Sequence, residues 1–236
     1  MCAATLVVFT FNKIGKLNLM LYSPPPHISL DILYEDDSLL IVNKPGGLLS
    51  VPGRGDDKQD CLISRVQSEY PDALIVHRLD MSTSGLMVLA RGKETERLLS
   101  ILFQQRKVDK KYIAVVDGKV TPASGEVNLP LITDWPNRPK QKVDFESGKP
   151  SKTYYSVLSY DKIYNSSRLE LIPLTGRTHQ LRVHLQSIQH AILGDELYAN
   201  SNTIDKSSRL LLHACYLSFQ HPITGELIEI NSEPEF

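Results

Sequence analysis

Residues 85–90, GLMVLA, are an uninterrupted apolar run, and His77, Arg78 and Asp80 stand just ahead of it. Six apolar residues are the length of a buried strand, far short of the roughly 20 that cross a bilayer. That strand must enter a hydrophobic core directly behind a histidine, an arginine and a carboxylate. A carboxylate at such an edge costs desolvation energy unless a cation or hydrogen bonds keep it ionised. The local residues leave two readings open. Either Arg78 and Asp80 form an ion pair that tolerates burial, or the group is a working site with Asp80 as nucleophile or general base. Nothing local assigns a role to His77.

The other patterned segments are mostly strands. ILYEDDSLLIVNKPGG reads as two short strands around an Asp-Asp turn, and KKYIAVVDG and KTYYSVLSYD are β-branched and aromatic runs bounded by turn residues. SRLELIPL alternates Leu169 and Leu171 with Arg168 and Glu170, as a half-buried strand does. LLLHACYLSFQHP and ELIEIN close the chain as a hairpin around PITGE. Helical spacing is confined to DCLISRVQSEY, KETERLLSILFQQRK and THQLRVHLQSI. In the second of these, basic residues gather toward the C-terminus, where the helix dipole favours them. Strands without regular βαβ alternation imply an α+β fold with a mixed, largely antiparallel sheet and flanking helices.

SPPPH, residues 23–27, carries three consecutive prolines that forbid helix and favour an extended linker. The expected organisation is a poorly ordered extension and linker over residues 1–27, then one domain over 28–236. Met20 is a candidate start, and TLVVFTF lacks the basic flank and cleavage pattern of a signal peptide. Cys2, Cys61 and Cys215 include no CxxC pair, so a zinc site or disulfide framework has no support and a reducing, cytoplasmic setting is expected. Dinucleotide, NTP-binding and hydrolase-elbow signatures are absent, so no cofactor is expected. His179 and His184 are five residues apart rather than the four of a metalloprotease helix, and no metal is expected.

A net charge of −1 points to no partner by itself. Positive charge is clustered, however, at Arg106, Lys107, Lys110 and Lys111, and again at Arg138, Lys140 and Lys142. Taken alone such clusters are solvated surface; on one face they would suit nucleic acid. Arg177, His179, Arg182 and His184 form a second polar group after a strand end. There Gly176 would allow a sharp turn, and a helix N-terminus would offer N–H groups to an anion. Tyr112, flanked by Lys110 and Lys111, is either a core aromatic or a platform for a nucleobase.

Together, HRLDMSTSGLMVLA (77–90), KKYIAVV (110–116) and PLTGRTHQLRVHL (173–185) resemble the pseudouridine synthases of the RluA family. NKPGGLLSVPG, LLLHA and HPITGE extend the resemblance. It implies the pseudouridine synthase catalytic fold, and an enzyme that isomerises uridines in RNA without a cofactor. Carried over by motif, Asp80 is the catalytic aspartate and Tyr112 packs on the target base. Arg182 pairs with the catalytic carboxylate, preceded by Leu181, and Arg78 fills the space of the extruded base. Arg106, Lys107, Lys110, Lys111, Arg138, Lys140, Lys142 and Arg177 are then expected at the RNA backbone.

LPLITDWPNRPKQKV (129–143) further resembles a member that lacks the family's S4 domain and modifies both ribosomal RNA and a tRNA anticodon stem-loop. The expected partners are therefore rRNA and tRNA stem-loops, with no membrane and no obligatory protein partner, the chain acting as a monomer. An rRNA-only or tRNA-only enzyme, a non-catalytic RNA binder, and a small-molecule hydrolase using Asp80 with His77 or His179 are the competing readings.

Overall fold

The structure is a computed structural model and describes residues 22–236. Met20 and the apolar TLVVFTF segment lie outside the described residues. Along the chain run β1 (Ile32–Glu35), β2 (Leu39–Lys44), α1 (Leu62–Gln67), β3 (Ala73–Ile75), β4 (Ser84–Arg91), α2 (Lys93–Gln104), β5 (Asp109–Asp117) and β6 (Ser124–Asn128). They continue with β7 (Leu131–Thr133), β8 (Gln141–Val143), β9 (Lys152–Asp161), β10 (Ser166–Pro173), α3 (Gln180–Ser187), α4 (Ser201–Ile204), β11 (Leu212–Gln220) and β12 (Leu227–Asn231).

Ten strands form one sheet in the order β1-β2-β4-β11-β5-β10-β9-β6, with β3 on β4 and β12 on β11. Every pairing in it is antiparallel except β11 with β4, where His213 and Ala214 lie beside Ser84 and Gly85. This is the expected α+β class. The approach at that seam requires a glycine. Gly85 has φ +115°, and a Cβ there would sit 2.3 Å from the carbonyl oxygen of Ala214. β7 and β8 make a separate small hairpin whose connection carries WPNRPK.

The alternation of side chains across the sheet makes two cores on one face and one on the other. Val42, Met87 and Leu89 pack with Leu62 and Val66 of α1, and Leu169, Leu171 and Leu212 pack with Leu181 and Leu185 of α3. Opposite, Ile41, Val88 and Phe219 cover Leu99 of α2. Each such fully buried side chain stabilises the fold by about 1.5–3 kcal/mol. The run 84–90 is buried throughout, as its composition demands. No helix among the described residues is long and apolar enough to cross a membrane.

Three expectations need correction. The described part of the linker is tied down: Tyr22 donates its hydroxyl to the Asp60 carbonyl at 2.9 Å, and Arg65 donates to the Pro25 carbonyl at 2.7 Å. Arg106 and Lys107 fall beyond the end of α2, whose last turn carries no base, so the dipole argument does not apply to them. Gly176 keeps an ordinary backbone; the left-handed residue before α3 is His179, with φ 54°.

Candidate active site

Asp80 lies in the loop between β3 and β4, and that loop is fastened from behind. Ser50 Oγ donates to the Leu79 carbonyl at 2.7 Å and accepts from the Leu79 N–H at 3.2 Å. Gly47 N–H donates to the Met81 carbonyl at 2.9 Å. Lys44, fully buried at the end of β2, donates to the carbonyls of Leu48 (2.7 Å), Pro45 (2.8 Å) and Met81 (3.1 Å). Burial pushes its ammonium down to about 7, opposed by the Asp80 charge. Three carbonyl acceptors nonetheless match the three N–H bonds of the charged form. Residues on both sides of Asp80 are thereby fixed to the core.

In front of the loop, α3 brings its first turn to the carboxylate. Arg182 Nη1 is 3.7 Å from Asp80 Oδ2, and His179 Nε2 is 3.9 Å from Asp80 Oδ1. The start of α3 is set by Gln180, whose buried amide accepts from Thr175 Oγ1 (2.7 Å) and the Arg177 N–H (3.0 Å). The same amide donates to the Lys152 carbonyl and Thr153 Oγ1, both at 3.0 Å. With the Arg177 N–H already engaged there, this helix end is built for positioning rather than as an open anion site.

Arg182 is buried, and its principal partner is Asp195: Nε donates to Oδ2 at 2.8 Å and Nη2 to Oδ1 at 2.6 Å. Burial opposes the charged guanidinium, but the bidentate carboxylate outweighs it and raises the group further above its usual range. Asp195 is buried as well and accepts the N–H groups of Leu197 (3.0 Å) and Tyr198 (3.1 Å). The Tyr198 hydroxyl accepts from the Gln141 N–H at 2.8 Å and stands 2.7 Å from His179 Nδ1.

Tyr112 projects from β5 into the cleft beside Asp80, against both cores on that face. Burial pushes its phenol upward, and the charge of Asp80 acts in the same direction. Leu181 is buried at the cleft wall, and Lys110 and Arg177 also line it. Arg78 lines the cleft, is exposed, and makes no ion pair with Asp80 among the described residues. The structure thus brings Arg78, Asp80, Lys110, Tyr112, Arg177, Leu181 and Arg182 together.

Other candidates lie elsewhere. Lys111 is on the opposite side of β5, paired with Glu170 at 3.1 Å and over the Tyr216 ring. Arg106 and Lys107 are exposed in the turn before β5. Arg138 and Lys140 lie in the β7–β8 connection and Lys142 in β8; Arg138 stacks on exposed Trp135 at 3.3 Å, and Lys142 reaches Asp144 at 3.7 Å.

His77 acquires a role. Its ring stacks on Phe103 at 4.5 Å and accepts the Val88 N–H at Nε2, 3.0 Å away, and burial pushes it down to about 3. It is a neutral pin between the loop, α2 and β4. Lys44, Asp195 and Tyr198 were not among the sequence candidates, although NKPGG had marked the first.

The arrangement offers a carboxylate beside a buried guanidinium and an aromatic face, in a cleft rimmed by cations. A carboxylate so placed can act as a nucleophile or general base on a molecule held against the aromatic face.

Comparison with known proteins agrees. Residues 38–187 match the family model described as RNA pseudouridylate synthase. The chain is 49% identical over 215 residues to the dual-specificity RNA pseudouridine synthase RluA of Escherichia coli (strain K12), covering 91% of this chain and 98% of that protein. Identity is 54% over 204 residues to the protein so named in Vibrio parahaemolyticus serotype O3:K6, covering 85% and 82%. Among solved structures, human RNA pseudouridylate synthase domain containing 1 superposes with a TM-score of 0.75 at 29% identity, covering 91% of this chain and 87% of that one.

Proposed function

From the premise that this chain belongs to the RNA pseudouridylate synthase family, we propose that Asp80 is the reacting carboxylate and that both rRNA and tRNA are substrates. The protein is an isomerase acting on RNA uridines. Its reaction breaks the N1–C1′ bond, turns the freed uracil and joins C5 to C1′; the C5 proton is lost and N1 gains one. Substrate and product are isomers, so no redox or phosphoryl donor enters.

Asp80 assists at C1′, as nucleophile or by taking a sugar proton. The observation carrying this reading is its place beside Arg182, at 3.7 Å, at the wall of a cleft that also holds Tyr112. The guanidinium faces Asp80 Oδ2 and can offset negative charge there as the reaction proceeds. The target base has to leave its stack to reach this wall, at a cost of a few kcal/mol. Stacking on Tyr112 returns about 1–3 kcal/mol. Arg78, exposed at the rim, enters the vacated position. Lys110, Arg177 and the cations at 106–107 and 138–142 hold phosphates, which positions the stem-loop without specifying it.

Dual specificity is supported by similarity, over most of both chains, to relatives that are dual-specificity RNA pseudouridine synthases. Residues 28–236 act as one catalytic domain, in the cytoplasm, as a monomer. Pseudouridine mapping of tRNA and rRNA from a strain lacking the protein tests the substrate assignment. Loss at one anticodon stem-loop position and one large-subunit position is expected; loss in a single RNA class overturns dual specificity. Tritium release from 5-tritiated uridine RNA by Asp80→Asn tests the carboxylate, and parental release overturns its role.

A further inference from the structure

We propose that His179 and Tyr198 form a second positioning arm for Asp80, in which the tyrosine hydroxyl fixes one imidazole tautomer and the ring turns its Nε2–H toward the carboxylate. This rests on the reading of Asp80 as the reacting group.

The hydrogen-bond network sets the proton positions. Tyr198 Oη has one proton to donate and lone pairs to accept. The Gln141 backbone N–H, 2.8 Å away, can only donate, so it occupies a lone pair. Among the described residues His179 Nδ1, 2.7 Å away, is the one hydrogen-bond acceptor that the hydroxyl proton meets. Nδ1 then accepts, and the single proton of the neutral ring resides on Nε2, 3.9 Å from Asp80 Oδ1. Burial favours neutral forms of both groups: it pushes the imidazole below its usual range, against the pull of Asp80, and the phenol up to about 12.

The backbone is consistent with a ring that must point one way. His179 holds φ at 54°, a left-handed conformation uncommon for a residue other than glycine and one that surrounding contacts have to support. Here the ring is fixed by the Tyr198 hydrogen bond and by an edge-on contact with the Tyr198 ring at 5.6 Å.

The two carboxylate oxygens of Asp80 therefore face different partners, a neutral N–H at Oδ1 and a guanidinium at Oδ2. One buried residue organises both. Asp195 grips Arg182 through its side chain and receives the backbone N–H of Tyr198. His179 acts through Asp80 and is a positioning residue.

The test uses the full chain and tRNA labelled with 5-tritiated uridine from a strain lacking the protein. His179→Leu and Tyr198→Phe are expected to lower kcat about 10–100-fold, with KM for RNA within about twofold of the parent. His179→Gln, whose amide N–H stands near the position of Nε2–H, is expected to recover most of that loss. Equal losses in His179→Gln and His179→Leu that follow their melting temperatures would show a merely structural role and overturn the proposal. Should His179→Leu fail to fold, Tyr198→Phe decides, and a parental kcat overturns it. Asp80→Asn separates the two levels. If it stays active, the reading of Asp80 fails; if it is inactive while Tyr198→Phe is parental, only the positioning arm fails.

Discussion

Arg182 is bound to Asp195 at 2.6 and 2.8 Å, while Asp80 stands off at 3.7 Å. The guanidinium is a fixed part of the scaffold with one carboxylate fully satisfied and another left in reach. A charge held this way can stabilise negative charge at Asp80 without having to reorganise.

Removing that anchor leaves a buried cation without its partner. Asp195→Ala should lower stability by about 3–5 kcal/mol and depress activity with it. Asp195→Asn, which can still accept N–H groups, should cost less. Thermal unfolding beside tritium-release assays measures both.

Lys44 never faces the cleft in this arrangement, yet it holds the segment carrying Asp80. Lys44→Met leaves three carbonyls without their donor, at about 1–3 kcal/mol for each that stays dry. A loss of kcat is expected together with a lower melting temperature, with RNA affinity less affected.

Tyr112 packs against two cores and also offers its ring to the cleft. Tyr112→Phe should keep packing and stacking. Tyr112→Ala should lose up to about 5 kcal/mol of stability and most binding of the flipped base. Equal activity of the two variants in a folded state would argue against a stacking role.

Acid should destabilise the fold through its histidines. His77 is pushed down to about 3, and His179, His184 and His213 are also lowered, in each case chiefly by burial. Each is neutral in the folded chain and takes up a proton on unfolding once pH falls below about 6.5. Their stabilisation is complete above that pH and declines below it, for His77 down to about pH 3, by up to about 1.4 kcal/mol per pH unit per histidine. Denaturant titrations between pH 7 and 4 should show this slope, reduced by about one proton in His77→Gln.

Charge reversal in the hairpin should affect RNA binding unevenly. Arg138 is already ordered on Trp135, whereas Lys142 reaches an aspartate. Arg138→Glu and Lys140→Glu should weaken binding more than Lys142→Glu, each lost phosphate contact lowering the salt slope by about 0.7–0.9. Affinity measured at several salt concentrations reads this directly.

Much of the sheet was legible because its strands are long and patterned. KTYYSVLSYD matches β9 residue for residue, and the alternation at Leu169 and Leu171 gives β10 its buried side. The strands not anticipated, β3, β6, β7 and β8, have three to five residues, too few for a period-two pattern to declare itself. Asp80, Tyr112 and Arg182 came from recognisable motifs. Asp195 lay in GDELY, where nothing local distinguishes a buried carboxylate from a surface one; only the fold puts it against Arg182. Lys110 and Lys111 part because adjacency along a strand places neighbours on opposite sides, so Lys111 pairs with Glu170 while Lys110 lines the cleft.

β11 lies between β4 and β5, although it follows both by about a hundred residues. On a chain emerging N-terminus first, Asp80 and Tyr112 are made long before the strand that joins β4 to β5. The strand that joins the two walls of the cleft is therefore among the last parts of the domain to be made. Until residues 212–220 arrive, β4 and β5 each lack the strand that joins them, so a premature stop before that point removes the seam between the two halves of the sheet and not merely an edge.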